Sequence, residues 1–237
     1  MKVSASKAGL LPRCQYAFRD ATPWDNTPPG RAAEYGQRFH DAIAGVVDPE
    51  VKPLAIKGTQ WLLERLKHAT AWLDAQAFPA EPQAEVAYAY DWSTGTSRVL
   101  GKNIGRKYRQ HGKSDDEIAG SADFVVLLPG LVIVYDWKTG RAVTDSVWPQ
   151  MEWLGLFAAR AYGVERAELR PLHVTDYGIE DGMRRVLGAE DLRRVAENLR
   201  RDVGAIADAW PEPGEHCDGE WCPARGACGL YQIRKAG

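Results

Sequence analysis

An aspartate and a lysine one residue apart, Asp136 and Lys138, close the apolar run VIVYDWKTG at 132–140. In a strand, alternate side chains share a face, so Val132, Val134, Asp136 and Lys138 point one way and Ile133, Tyr135 and Trp137 the other. Both faces are mostly apolar, the pattern of a strand covered on both sides. An ionised group placed there costs several kcal/mol, roughly, unless it is paired or bound to a metal. The commoner fate of such a pair is a salt bridge at the rim of a sheet.

The preceding residues shift that balance. GSADFVVLLPGLVIVYDWKTG, 120–140, reads as a hairpin whose first strand begins near Asp123 and whose turn is Pro129-Gly130. With the turn centred there, Leu128 faces Leu131, and the same register sets Asp123 opposite Asp136. Cross-strand partners have Cβ atoms only about 5 Å apart, where two carboxylates repel. The arrangement therefore asks for a cation. Carboxylate oxygens suit hard ions such as Mg²⁺ or Mn²⁺, whose shell a nucleotide or phosphodiester substrate would complete.

A chain of 237 residues with 45% hydrophobic content can bury a substantial core, and neither a repeat nor a long linker interrupts it. One domain spanning 1–237 is expected. The N-terminus lacks a continuous apolar segment, and no run approaches the ~20 residues of a membrane span, so the reading is a soluble, cytoplasmic protein with no membrane partner. A net charge of −2 gives no whole-molecule support for nucleic-acid binding. The local stretch RVLGKNIGRKYRQHGK, 98–113, holds six Lys or Arg and no acid. Alone it would be a solvated loop. Beside a metal site, Lys102, Arg106, Lys107 and Arg109 become candidate contacts to a phosphate backbone.

Periodicity supplies the elements that must carry these residues. RAAEYGQRFHDAIAGVV and TQWLLERLKHATAWLDAQAF repeat apolar residues at helical spacing, through Phe39, Ile43, Val46 and Val47 and through Leu62, Leu66, Ala69 and Leu73. AEVAYAYDW alternates as a strand. WPQMEWLGLFAARAYG reads as a helix with Pro149 in its first turn and Gly163 at its end. A strand-like AELRPLHVTDYG follows, then an Arg-rich helical stretch with interleaved acids from Arg184 onward. The fold class is α/β, with a helical N-terminal region and helices on both sides of a small central sheet. His111 and His173 read as ordinary loop and strand residues. His40 lies beside an apolar stripe one turn after Gly36, whose missing side chain leaves room for a strand or a metal to approach.

The cysteines fall near the two ends: Cys14, then Cys217, Cys222 and Cys228. Without a secretion signal, disulfides are not expected. Three cysteines in a Gly- and Pro-containing tail read as a metal site in need of one more thiolate, and Cys14 is the remaining one. Four thiolates suit zinc or a [4Fe-4S] cluster, with His216 open as a substitute ligand.

Gly120-Ser-Ala-Asp123 followed by YDWKTG resembles the split acidic motif and D-x-K of the PD-(D/E)XK nucleases. EYGQRFHDAI resembles the Gly-x-x-x-His helix of the RecB-like branch, and Gln150 falls where that branch carries a glutamine. The resemblance runs over 36–150. It implies a restriction-endonuclease-like mixed sheet and a catalytic set of Asp123, Asp136, Lys138 and Gln150. It also implies Mg²⁺ or Mn²⁺ held by His40, Asp123, Asp136 and the Trp137 carbonyl. Lys138 would orient or deprotonate the attacking water. Glu85 resembles a family acid on the preceding strand, although a surface glutamate is the plainer reading. Where the family often carries a tyrosine, four residues after the glutamine, this chain has Leu154. One distant cysteine plus a C-terminal triplet resembles the iron-sulfur staple of RecB-like nucleases, including CRISPR-adaptation and AddB-type enzymes. The implied activity is metal-dependent hydrolysis of DNA phosphodiesters, with exonuclease action and a [4Fe-4S] cluster on Cys14, Cys217, Cys222 and Cys228. DNA and proteins of repair, phage or immunity systems are the partners it implies. The alternatives are a non-catalytic DNA-binding subunit of the same fold and a zinc-stapled adaptor.

Overall fold

The computed structural model describes residues 3–19, 31–48, 60–105, 107–140, 144–210, 224 and 228. Helices α1 (Arg31–Val47) and α2 (Gln60–Ala75) come first, followed by strands β1 (Gln83–Asp91), β2 (Thr96–Lys102), β3 (Glu117–Leu128) and β4 (Leu131–Lys138). Helix α3 (Trp148–Tyr162) leads to β5 (Arg166–Val174), β6 (Ile179–Glu180), β7 (Arg185–Leu187) and α4 (Ala189–Gly204). The strands make one mixed sheet in the order β2-β1-β3-β4-β5-β6, with β7 also paired to β5. β4 and β5 are parallel, joined across α3, and the other pairings are antiparallel. The architecture is mixed α/β of the restriction-endonuclease type. Among the described residues no helix is long and apolar enough to cross a membrane.

The β3–β4 hairpin has the register set by its turn. Leu128 pairs with Leu131 and the ladder runs unbroken to Phe124–Tyr135. Gly130 sits at φ 73°, the left-handed value that a type II Pro-Gly turn needs at its third position. β3 starts earlier than Asp123, at Glu117, because the segment 117–122 pairs with β1.

β4 is covered on both faces, as its apolar run requires. Val132 and Val134 join a core with α3, α4 and the N-terminal 3-10 turns, while Ile133, Tyr135 and Trp137 join a second core under α1 and α2. Phe39 and Ile43 bury α1 in the latter, but Val46 is turned outward. α3 closes at Gly163 in the left-handed conformation, and Pro149 stands in its first turn.

Two stretches differ from their sequence-based reading. Residues 98–102 are edge strand β2 rather than loop, and turns follow from 103. The Arg-rich stretch is not helical from Arg184: Arg185–Leu187 pairs with β5, and the helix begins after Gly188. There the Asp191 carboxylate accepts the Gly188 N–H at 3.1 Å, an N-terminal cap that fixes the start.

Candidate active site

Ladder register aligns three carboxylates on adjacent strands. Ala84 pairs with Phe124 and Val86 with Ala122, so Glu85 stands opposite Asp123; one step beyond the Phe124–Tyr135 pair, Asp123 stands opposite Asp136. The alternation of β1 and β3 breaks at this row. Val86 and Ala122 face the α3 core, yet Ala84 and Phe124, two residues away, face the α1/α2 core. Glu85 absorbs the change with φ 47°, a left-handed conformation uncommon for a residue with a side chain. The row therefore lies on the seam between the two cores, where side chains escape both.

α1 brings His40 to that seam. Phe39 is fully buried and meets the Trp137 ring edge-on at 6.0 Å, so the next residue overhangs the carboxylates. His40 Nδ1 is 2.8 Å from Asp123 Oδ1. The Trp137 N–H donates to Asp123 Oδ2 at 2.5 Å. Ligand atoms of His40, Glu85 and Asp123 lie within 4.8 Å of one another. Gly36 is one turn before His40, and a Cβ there would stand 3.2 Å from Thr139 Oγ1, so the glycine lets the end of β4 approach the helix.

Lys138 Nζ is in ion-pair contact with Asp136 Oδ2 and donates to Gln150 Oε1 at 3.1 Å. Gln150 Nε2 in turn donates to Asp136 Oδ1 at 3.3 Å, so α3 ties the two charged groups of β4 together. Asp136 is only 3% exposed. Its Oδ2 is held by the Lys138 ammonium alone.

The electrostatics are those of crowded acids. Burial, with Asp123 adding to it, raises Glu85 to about 8, against the pull of His40. Burial alone would lower His40, but the Asp123 carboxylate and its hydrogen bond override that and raise it to about 9. Burial also raises Asp136, although Lys138 opposes it. For Lys138 the burial effect is downward, and Asp136 overrides it to raise the amine. The cluster thus retains protons where an added cation would replace them.

Asp123, Asp136, Trp137, Lys138, His40 and Gln150 thus come together from α1, β3, β4 and α3. Glu85, read from sequence as a surface residue, is instead half-buried in the row. The sequence offered only an acid at the start of a strand; its alignment with Asp123 comes from the pairing of β1 with β3. Leu154 is wholly buried and packs against Gly120 in the α3 core, so that position offers nothing to a substrate. His173 is buried on β5, its ring nitrogens within 2.9 Å of Glu180 Oε2 and of the Gly140 carbonyl.

The basic stretch lies apart from the row and is fastened to β3 through Tyr108, whose hydroxyl is 3.1 Å from Ser121 Oγ. Lys107, Arg109 and Lys113 line an open cavity of about 400 Å³ beside Val3 and Ser4. Arg109 pairs with Asp115, and Lys102 with Asp48 at 3.3 Å. Arg106 lies outside the described residues. Cys14 and Cys228 are both buried in the α3 core, whereas Cys217, Cys222 and His216 lie outside the described residues.

A family model described as "PD-(D/E)XK nuclease superfamily" matches residues 2–229. Eight chains of solved structures match as well. One, described as "Crystal structure of SSO0001", shares 16% identity over 85% of this chain and 81% of that chain, with a TM-score of 0.39. No curated protein matches.

Proposed function

This chain belongs to the PD-(D/E)XK nuclease superfamily, and on that premise we propose that it is a Mg²⁺- or Mn²⁺-dependent deoxyribonuclease of RecB-like type, acting as an exonuclease. The observation that carries the reading is the row of Glu85, Asp123 and Asp136 across three strands, roofed by His40 and ended by Lys138. The residues fit a hard divalent cation: their ligand atoms converge, and their donors are oxygen and imidazole nitrogen crowded into one row. His40, Glu85 and Asp123 would hold it, with Asp136 and the Trp137 carbonyl as further ligands. When bound, the ion polarises the scissile phosphate and acidifies a water.

The chain's own groups do the rest. Lys138 Nζ, fixed by Asp136 and Gln150, orients the attacking water and offsets charge growing on the phosphoryl oxygens. His40 and Glu85 give up their protons to the solvent as the site fills, since both otherwise retain them near neutrality. Lys107 and Arg109, at the lip of the neighbouring cavity, attract the phosphate backbone. The four cysteines carry a structural [4Fe-4S] cluster. The burial of Cys14 and Cys228 in one core supports a site drawn from both ends of the chain.

Digestion of end-labelled DNA, single- and double-stranded, linear and circular, tests the reading. Mg²⁺ or Mn²⁺ should support stepwise loss from linear ends, EDTA should abolish it, and circles should survive. Cleavage that persists in EDTA would remove the metal from the mechanism. Nicked circles would make the enzyme an endonuclease.

A further inference from the structure

Two aromatic side chains of the helical layer, Tyr35 and Trp61, are tied to the residue that follows Lys138 through Gly36 and Arg65. Arg65 of α2, itself only 8% exposed, donates from NH1 to the Thr139 carbonyl at 2.7 Å and from Nε to Asp176 Oδ1 at 3.0 Å. One guanidinium therefore joins the end of the D-x-K strand to the turn between β5 and β6. Its other partner is the indole of Trp61, over which the Arg65 Cζ lies at 4.1 Å. The Tyr35 ring stands 5.7 Å from that indole, one residue before the glycine that abuts Thr139. Tyr177 follows Asp176, the partner of Arg65 Nε, and is 95% exposed.

The exposure of Tyr177 is held rather than incidental. Thr175 Oγ1 accepts the N–H groups of Tyr177 and Gly178 at 3.2 and 3.1 Å, and the Thr175 N–H and hydroxyl both donate to the Gly178 carbonyl at 2.9 Å. His68 Nε2 and Arg65 add contacts from α2 to Asp176. A turn fastened by so many bonds presents a large ring to solvent. Trp61 and Tyr35 are half-buried, and the guanidinium that covers Trp61 is itself paired with Asp176, the residue before Tyr177.

We propose that Trp61 and Tyr177, with Tyr35 behind Trp61, form a stacking rim that receives the bases of an unpaired DNA strand as its phosphates pass the carboxylate row. Every base has a π-face, so such a rim grips a strand without reading its sequence. A paired duplex keeps its bases stacked on one another and cannot use it. The rim rests on the nuclease reading for its substrate, and it adds a preference for single-stranded segments or frayed ends.

Binding of the full chain to an oligothymidylate of about twenty nucleotides, to an abasic strand of equal length and to a blunt duplex, with divalent cations chelated, tests this. Tyr177→Ala and Trp61→Ala should each weaken oligothymidylate binding by about 5- to 150-fold, the range expected for one stacked base. Tyr177→Phe should retain it, and the abasic strand should respond to neither alanine variant. Equal losses on both strands, unchanged affinity in both variants, or no binding of the oligothymidylate by the parent chain would each overturn the rim. Because Tyr177 makes so little contact, its variant stays informative even if Trp61→Ala disturbs α2. A parent chain that binds the strand but cleaves nothing with Mg²⁺ or Mn²⁺ would refute the nuclease reading and leave the stacking result standing.

Discussion

At the scale of single residues, the site is a problem of charge. Lys138 is held by two groups, so Lys138→Ala should leave the fold intact while cutting the cleavage rate by about 10²-fold or more, as measured on labelled DNA beside thermal melts. Parent-level activity in that variant would remove the amine from the chemical step. Glu85 and His40 govern the pH response of the metal-free protein. Glu85 rises from 4.5 to about 8, so the folded state binds its proton more tightly than the unfolded chain does, and stability falls as pH climbs through that window. His40 rises from 6.5 to about 9, so its contribution is full below 6.5 and lost as pH passes through about 9. Melting temperature in EDTA should therefore fall from pH 5 to pH 9, and Mg²⁺ or Mn²⁺ should restore more of it at the alkaline end. Glu85→Gln should flatten the lower part of that fall. Asp136 and Lys138 were legible in the sequence because a charge at the end of a two-sided apolar strand is costly wherever the strand goes. Glu85 was not, since its burial depends on a left-handed backbone and on the arrival of α1.

At the scale of elements, the β3–β4 hairpin does most of the positioning, and its register followed from Pro129-Gly130 alone. The role of Gly120, by contrast, belongs to the packing. A Cβ there would lie 2.6 Å from the Ala5 Cβ and 2.9 Å from Leu154 Cδ2, so the N-terminal turn and α3 can close on β3 only over a glycine. Gly120→Ala should cost about 1–3 kcal/mol in denaturant melts, with cleavage falling only as far as the folded fraction does. The turns after β2 have a different duty. Neutralising Lys107 and Arg109 should weaken DNA binding and reduce the slope of log affinity against log salt by about 0.7–0.9 for each lost contact. An unchanged slope would return this stretch to plain solvent-facing turns. That 98–102 forms an edge strand escaped the sequence reading because the abundance of Lys and Arg masks a pairing supplied by β1.

At the scale of the whole molecule, two cysteines far apart in sequence, Cys14 and Cys228, are both buried in the α3 core. If they share one [4Fe-4S] cluster with Cys217 and Cys222, a loop of some two hundred residues is closed in the folded state only, and cluster affinity becomes stability. Cys14→Ser should then lower the melting temperature and the iron content together, and anaerobically purified parent protein should be brown with about four irons per chain. Stoichiometric zinc without iron would refute the cluster and leave the nuclease site untouched. What the sequence determined by itself is local: the helices, the hairpin and the D-x-K strand follow from apolar periodicity and turn chemistry, each written within about twenty residues. The assembled site was decided by tertiary structure. His40, Glu85, Asp123 and Gln150 are brought together only when α1 and α3 dock on opposite faces of one sheet. The same holds for the stacking rim, because Tyr35 and Trp61 meet only where α1 and α2 pack, and Tyr177 is linked to them only through Asp176 and Arg65. Burial energy selects that docking, and no spacing along the chain encodes it.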